Sequence, residues 1–175
     1  MLLQKYYAKQ ACDEANIVNP KIRINHRKGE VVINGKRYGI VLPRSLVDYC
    51  KTLWSERTDR FYFKGVITAK RQWVRQYDNV HASNRGRNKN LKYKYDQDYF
   101  ESLARTEFAL APTGGCNWSY RMFEAIACGA MPVLGDNDTD LFAEDYNFVR
   151  HSDEKEYSIE HANHNFETLL QKTLL

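Results

Sequence analysis

The chain has 175 residues, of which 43% are hydrophobic and 13% aromatic, and its formal net charge is +4 at pH 7. This length suits one ordinary domain with a small appendage, and the composition excludes a disordered chain. The four cysteines show no Cys-x-x-Cys spacing, which argues against a zinc site and a secreted disulfide framework.

The first residues are too polar for a signal peptide, because Lys5, Lys9, Asp13 and Glu14 interrupt any apolar run. No stretch approaches the ~18 apolar residues that a membrane span needs. We therefore expect a soluble, cytoplasmic protein.

The N-terminal part is predicted to contain a helix, a β-hairpin and a second helix. Residues 1–16 favour a helix. Residues 21–42 favour β-structure, in which Asn34-Gly35 supplies the tight turn of a hairpin. Ser45 is expected to cap a helix that runs to about Glu56.

After residue 56, short apolar runs alternate with helical patterns. Strands are predicted at 61–67, 108–111 and 131–134. Helices are predicted at 70–77, at 97–106 with Asp96 as the cap, at 118–128 with Gly129 at the end, and from about 159 onward. Residues 78–95 are polar and favour a loop.

This alternation predicts an α/β fold: a Rossmann-like, mainly parallel sheet with flanking helices over residues 57–175. Residues 1–56 form a preceding helix and β-hairpin segment. Ligands of such sheets bind beyond the carboxyl ends of the strands. The loops after Ile67, Pro112 and Leu134 are therefore the candidate site.

Positive charge is concentrated near the first of these loops. Residues 57–95 contain eleven Lys and Arg but only two acidic residues, whereas residues 136–167 contain ten Asp and Glu. The basic segment indicates an anionic ligand, such as nucleotide phosphates, a nucleic acid or an acidic glycan. A solvated loop kept soluble by its charge is the alternative.

The loop 113–117 joins the second strand to a helix. Its Gly114 and Gly115 would let the backbone approach a ligand closely, and the following helix N-terminus favours a phosphate. An ordinary tight turn is the alternative for this loop.

Three polar side chains follow. Ser119 could donate to a phosphate oxygen, Arg121 could bind phosphate through two parallel hydrogen bonds, and Glu124 could accept from two ribose hydroxyls. The alternative for Arg121 and Glu124 is a surface ion pair.

The string from Tyr99 to Val133 resembles the exostosin family of glycosyltransferases, in the C-terminal, donor-binding lobe of a two-lobed GT-B enzyme. The resemblance covers roughly residues 60–140 and includes the strand Phe61–Gly65. Its ordered positions are Tyr99, Leu103, Phe108, Pro112, Gly114, Gly115, Ser119, Arg121, Glu124, Ala125, Gly129, Pro132 and Val133.

The resemblance implies that a sugar passes from a nucleotide-sugar donor, such as a UDP- or GDP-sugar, to a glycan or glycoprotein hydroxyl. It implies no cofactor and no metal. Arg121 and Glu124 would be the catalytic positions. The donor-binding residues would be Lys70, Arg71, Gly114, Gly115, Asn117, Ser119, Arg121 and Glu124.

In this scheme Glu124 holds the ribose, while the cationic residues neutralise the diphosphate and stabilise the leaving nucleotide. Removal of the Glu124 or Arg121 side chain should then weaken nucleotide binding without lowering the melting temperature. The predicted helix 118–128 would bury its other face, with Phe123 at the centre, against the sheet.

Two features depart from the family pattern. About 60 residues precede the match, so a partner chain or a second copy is expected to supply the acceptor lobe, and no general base is assigned. Asp136-Asn137-Asp138 resembles the metal site of the GT-A fold, but in this context a polar loop is expected.

Two other functions stay open. The chain could be a non-catalytic or partner-dependent nucleotide-sugar-binding module, which would bind the donor without releasing its sugar. It could instead be a nucleic-acid-binding domain that uses residues 57–95, although the Gly129–Val133 pattern then has no explanation. The sequence favours sugar transfer, with no nucleic acid as partner.

Overall fold

The computed structural model describes residues 3–83 and 95–175. The α-helices are Leu3–Glu14 (α1), Arg44–Thr52 (α2), Gln97–Ala104 (α3), Tyr120–Ala127 (α4) and Ile159–Thr173 (α5). The strands are Ile22–Asn25 (β1), Glu30–Ile33 (β2), Lys36–Tyr38 (β3), Asp59–Gly65 (β4), Val80–Ala82 (β5), Thr106–Leu110 (β6), Met131–Leu134 (β7) and Val149–Arg150 (β8). Ala69–Gln76 and Ala143–Asp145 are 3-10 helices.

Strands β4 to β8 form one parallel sheet in the order β5-β4-β6-β7-β8. Strands β1 to β3 form a separate antiparallel sheet whose tight turn is Asn34-Gly35. The predicted α/β fold with an N-terminal helix and hairpin is therefore confirmed. Because β4, β6 and β7 are neighbours, their carboxyl ends meet at the same edge.

Both faces of the parallel sheet are covered. Alternate residues of a strand point to opposite faces. Tyr62 and Ala109 accordingly pack in the core that contains α2, α3 and α4, whereas Phe63 and Phe108 pack on the other side with Val74 of the long 3-10 helix. This two-sided burial accounts for the apolar character of these strands.

Helix α4 is short because both ends are sharply defined. The Ser119 side chain caps its start. At its end Gly129 has φ +74°, and the Gly129 and Ala130 amides donate to the Ile126 and Ala125 carbonyls, each over 2.9 Å. This Schellman ending confirms the predicted role of Gly129 and lets β7 begin two residues later.

The predicted cap of α2 is wrong. Pro43 occupies the cap position, and the helix ends at Thr52. Ser45 lies in the first turn, where its hydroxyl donates a short hydrogen bond to the Glu14 carboxylate of α1. A tertiary contact therefore takes the side chain that the local pattern assigned to the helix end.

Several other boundaries also differ from the predictions. The strand expected at 61–67 spans Asp59–Gly65, and residues 70–77 form a 3-10 helix rather than an α-helix. Residues 40–42 leave the hairpin, because the Leu42 amide donates to the Thr173 carbonyl over 3.0 Å instead.

The predicted loop at 78–95 begins with strand β5, which pairs with β4. Its residues 84–94 lie outside the described residues. The edge strand β8 was not predicted.

The N-terminal segment shares its core with the parallel-sheet region. Tyr7, Leu42 and Leu46 pack in the same apolar cluster as Phe123 and Leu134. The division at residue 56 stays a prediction. No helix in residues 3–83 or 95–175 is both long and apolar enough to cross a bilayer.

Candidate functional site

Three loops meet at the carboxyl edge of the parallel sheet, after β4, β6 and β7. Hydrogen bonds join them. The Thr113 hydroxyl donates to Asp138 over 2.6 Å, and the Gly135 amide donates to the same carboxylate over 2.9 Å. One acidic side chain thus joins the loops after β6 and β7 at the predicted ligand-binding edge.

Arg71 spans the first two loops from the 3-10 helix. Residues three apart are aligned in such a helix, so Arg71 shares a face with Val74, which is fully buried. Its guanidinium donates to the carbonyls of Val66 and Thr113, both over 3.1 Å. These two carbonyls hold the positive charge of Arg71 in place.

Arg121 approaches the same edge from the first turn of α4. Its Nη2 donates to the Lys64 carbonyl over 2.9 Å, and its guanidinium carbon lies 4.7 Å from the centre of the Phe63 ring. A Cβ atom at Gly65 would collide with this guanidinium. Glycine at position 65 therefore lets the arginine lie against the end of β4.

The two guanidinium groups lie close enough to affect each other. The pKa of Arg71 is lowered to about 10, chiefly by burial and also by the positive charge of Arg121, while Asp138 opposes the change. Arg71 remains protonated at neutral pH. Two neighbouring cations at a partly buried edge form a site whose charge suits an anion.

The glycine-rich loop lies against Arg71. A Cβ atom at Gly114 would stand 2.8 Å from Nη2 of Arg71, whereas one at Gly115 would meet nothing within 4 Å. Ser119 accepts from the Arg121 amide over 3.3 Å, and Asn117 and Lys70 are exposed. The structure therefore brings Arg71, Arg121 and Gly114 together.

Glu124 lies one turn deeper in α4 and is only 1% exposed. Its two carboxylate oxygens accept from the hydroxyls of Tyr7 and Tyr99, over 2.7 and 2.9 Å. Tyr99 and Arg121 also line a crevice of about 170 Å³, including space open to solvent, between α3, α4 and β4. Glu124 is therefore covered by Tyr7 and Tyr99, one turn along α4 from Arg121.

The carboxylates of Asp136 and Asp138 accept hydrogen bonds from different groups. Asp138 binds the loop ends described above, whereas Asp136 is exposed and accepts from the Ser152 amide over 2.8 Å. This hydrogen bond from the Ser152 amide is the main cause that lowers the pKa of Asp136. The two carboxylates are thus each engaged by protein groups.

The N-terminal hairpin also reaches this edge. The indole of Trp118, just before α4, donates to the His26 carbonyl in the turn between β1 and β2 over 2.7 Å. Gly29 of the same turn, at φ +58°, leaves no room for a Cβ atom beside Phe142. The turn therefore supports the loops that precede α4 and follow β7.

Residues 52–155 match the family described as RXYLT1 C-terminal domain. The chain belongs to this family. It is a xylosyltransferase family, and the match confirms the resemblance to the C-terminal lobe of an exostosin-like glycosyltransferase. At the general level, membership indicates a glycosyltransferase. No curated protein matches the chain.

The RXYLT1-type match spans the whole arginine site, from β4 to the loop after β7. Sequence reasoning did not assign a role to Asp138 as a link between loops, nor to Tyr7 and Tyr99 as partners of Glu124. The position of Asp138 just after a buried strand was the available signal. Nothing in the sequence links Tyr7 to Glu124, because 117 residues separate them.

Proposed function

We propose that this chain binds a nucleotide sugar with its diphosphate at Arg71 and Arg121 and transfers the sugar to a hydroxyl of a glycan or glycoprotein. The observation that carries the proposal is the convergence of two guanidinium groups, both hydrogen-bonded to backbone carbonyls, at the carboxyl edge of the sheet. Family membership supports the sugar transfer.

The arginine pair would act most strongly on the leaving group. As the bond between the sugar and the diphosphate breaks, negative charge grows on the phosphate oxygens. Donors that are already fixed stabilise this charge without reorganising during the reaction, which is often the largest contribution to catalysis. The contacts of Arg71 with Val66 and Thr113 supply that fixation.

Glu124 has a narrower place in this proposal. A ribose can reach its carboxylate only if a covering side chain such as Tyr99 moves, because Glu124 is 1% exposed and its oxygens already accept from the Tyr99 and Tyr7 hydroxyls. We therefore assign diphosphate binding to the arginines and keep ribose binding by Glu124 as a hypothesis that needs movement of Tyr99.

The direct test is a thermal-shift panel of UDP-xylose, GDP-mannose, ADP-glucose and CMP-sialic acid. A bound nucleotide sugar at a hundred times its Kd should stabilise the protein by about 2.7 kcal/mol. We expect a diphosphate sugar, with UDP-xylose first in view of the family, to stabilise more than the monophosphate CMP-sialic acid. If no sugar in the panel stabilises the protein, the proposal is wrong.

Arg121→Ala should weaken binding of the stabilising nucleotide sugar by roughly ten- to a hundredfold, since a charged hydrogen bond is worth about 1.5–3 kcal/mol. Isothermal titration calorimetry measures the change. Arg37→Ala is the matched control, because Arg37 is exposed on β3 and should leave affinity unchanged. Equal affinities of both variants and the parent would contradict the site.

Donor binding is expected to be independent of divalent metal. The charge of the diphosphate would be met by Arg71 and Arg121, while Asp136 and Asp138 already accept protein hydrogen bonds. Affinity measured in EDTA should equal that measured with Mn²⁺. A large loss in EDTA that Mn²⁺ restores would instead assign a metal to these aspartates.

A further inference from the structure

Asp140 lies where the loop after β7 crosses the start of α4. The next residue, Leu141, donates its amide to the Asn117 carbonyl over 2.9 Å, and the Ser119 amide approaches the Asp140 carboxylate. Asp140 is half-buried, but Leu141 is 52% exposed. The chain therefore runs near the surface at this point, although the Asp140 carboxylate is itself largely shielded.

The two oxygens of this carboxylate have different surroundings. Oδ1 accepts a hydrogen bond from the Phe142 amide over 2.9 Å. Oδ2 is shielded from solvent, and in the described part of the chain no group donates a hydrogen bond of ordinary length to it. Buried acceptors normally have partners. This oxygen can therefore take a donor that arrives during function once the groups that cover it move.

The surroundings of Asp140, above all its burial, make it a stronger base than an ordinary aspartate. The pKa of Asp140 is raised to about 6, chiefly by burial, and the negative charge of Asp138 acts in the same direction. The Phe142 and Ser119 amides and the positive charge of Arg150 oppose this rise. At pH 7 the group is still mostly ionised, so it can accept a proton.

Asp140 is also near the proposed diphosphate site. Only Thr139 lies between it and Asp138, so their Cα atoms are at most about 7 Å apart. Asp138 accepts from the Thr113 hydroxyl, and the Thr113 carbonyl accepts from Arg71. The base and the arginine pair therefore border one edge, on loops that are joined to each other.

We propose that Asp140 is the general base that deprotonates the acceptor hydroxyl, an inference that rests on the proposed sugar transfer. The acceptor O–H proton passes to Oδ2 of Asp140 while the acceptor oxygen bonds to the anomeric carbon. The bond between that carbon and the diphosphate oxygen breaks. Its electron pair leaves with the nucleoside diphosphate, whose charge Arg71 and Arg121 stabilise.

A purely structural role gives different expectations. A carboxylate beside a helix N-terminus stabilises the helix, and Asp140 also holds the Phe142 amide. In that case its replacement would lower the melting temperature and affect donor binding and turnover together. A base instead affects turnover and its dependence on pH while donor binding persists.

The experiment uses the full chain with UDP-xylose as donor and water as acceptor. Affinity for UDP-xylose, the rate of UDP release between pH 5 and 8, and the melting temperature are measured for the parent, Asp140→Asn and Asp140→Glu. Asp136→Asn is the control, because it removes the same charge from an exposed position in the same segment.

We expect parental UDP release to rise with pH through about 6 and then level off, since only the ionised carboxylate accepts a proton. Asp140→Asn should bind UDP-xylose as the parent does but release UDP roughly a hundredfold or more slowly, without the rise near pH 6. Asp140→Glu should recover part of the rate, and Asp136→Asn should match the parent.

Three outcomes would overturn the assignment of Asp140. The first is an Asp140→Asn variant with the parental rate and pH profile. The second is a loss of turnover in Asp140→Asn that only follows a loss of donor binding or of folded protein, with no recovery in Asp140→Glu. The third is a parent that binds UDP-xylose but releases no UDP. A parent that binds no nucleotide sugar overturns the proposed function itself.

Discussion

Replacing Phe123 with alanine is expected to lower the free energy of unfolding by about 3–5 kcal/mol, the range for deleting a buried aromatic side chain. Phe123 is 1% exposed. Its ring meets those of Tyr120, Phe142 and Tyr146 edge-on, with centroids 6.4, 5.5 and 5.9 Å away. The substitution leaves a cavity and removes three aromatic contacts.

Urea unfolding at constant pH measures this change. Val18→Ala is the control, because Val18 is 81% exposed and its substitution should change stability by less than about 0.5 kcal/mol. A loss below about 1 kcal/mol for Phe123→Ala would show that the space beneath α4 collapses freely. Phe142 and Tyr146 follow β7, so the variant should also loosen the loop that carries Asp140.

Replacing Glu124 with alanine is expected to destabilise the fold by roughly 2–5 kcal/mol, because it leaves two buried tyrosine hydroxyls without their carboxylate partner. Both hydrogen bonds connect separate helices: Tyr7 is on α1 and Tyr99 on α3. The family motif alone suggested a ligand role with little effect on stability. The buried position changes that expectation.

Glu124→Gln separates charge from shape, since glutamine fits the same space and can still accept from one tyrosine. We expect its stability to lie between those of the parent and Glu124→Ala. Glu56→Ala, at an exposed position, is the control. Unfolding of all variants in urea decides the question, and a Glu124→Ala protein as stable as the parent would show that the tyrosine contacts contribute nothing.

The sequence was informative wherever a local pattern determines structure. The apolar runs at β4, β6 and β7 are continuous because both faces of the sheet are covered. Asp96 caps α3 as predicted, with its side chain accepting from the Tyr99 amide over 3.3 Å. The motif residues around α4 were also enough to indicate the family.

Predictions failed where a distant segment competes for a side chain or a backbone group. Ser45 bonds Glu14 instead of capping α2, and the Leu42 amide bonds Thr173 instead of extending the hairpin. The edge strands β5 and β8 are only three and two residues long. Such short strands have too few residues to show an alternation of apolar and polar side chains in the sequence. Their pairing with the neighbouring strand defines them.

The sequence by itself determined that this is an α/β protein with glycosyltransferase-type motifs, and it placed Arg71, Gly114 and Arg121 after strands whose carboxyl ends are expected to bind a ligand. The fold class follows from short-range periodicity, and the motifs follow from the resemblance to a known family. Only the tertiary structure decided that the two arginines meet, that Tyr7 covers Glu124, and that Asp140 lies beside the start of α4. These are contacts between residues far apart in the chain, and they form because packing the helices on the sheet brings the side chains together.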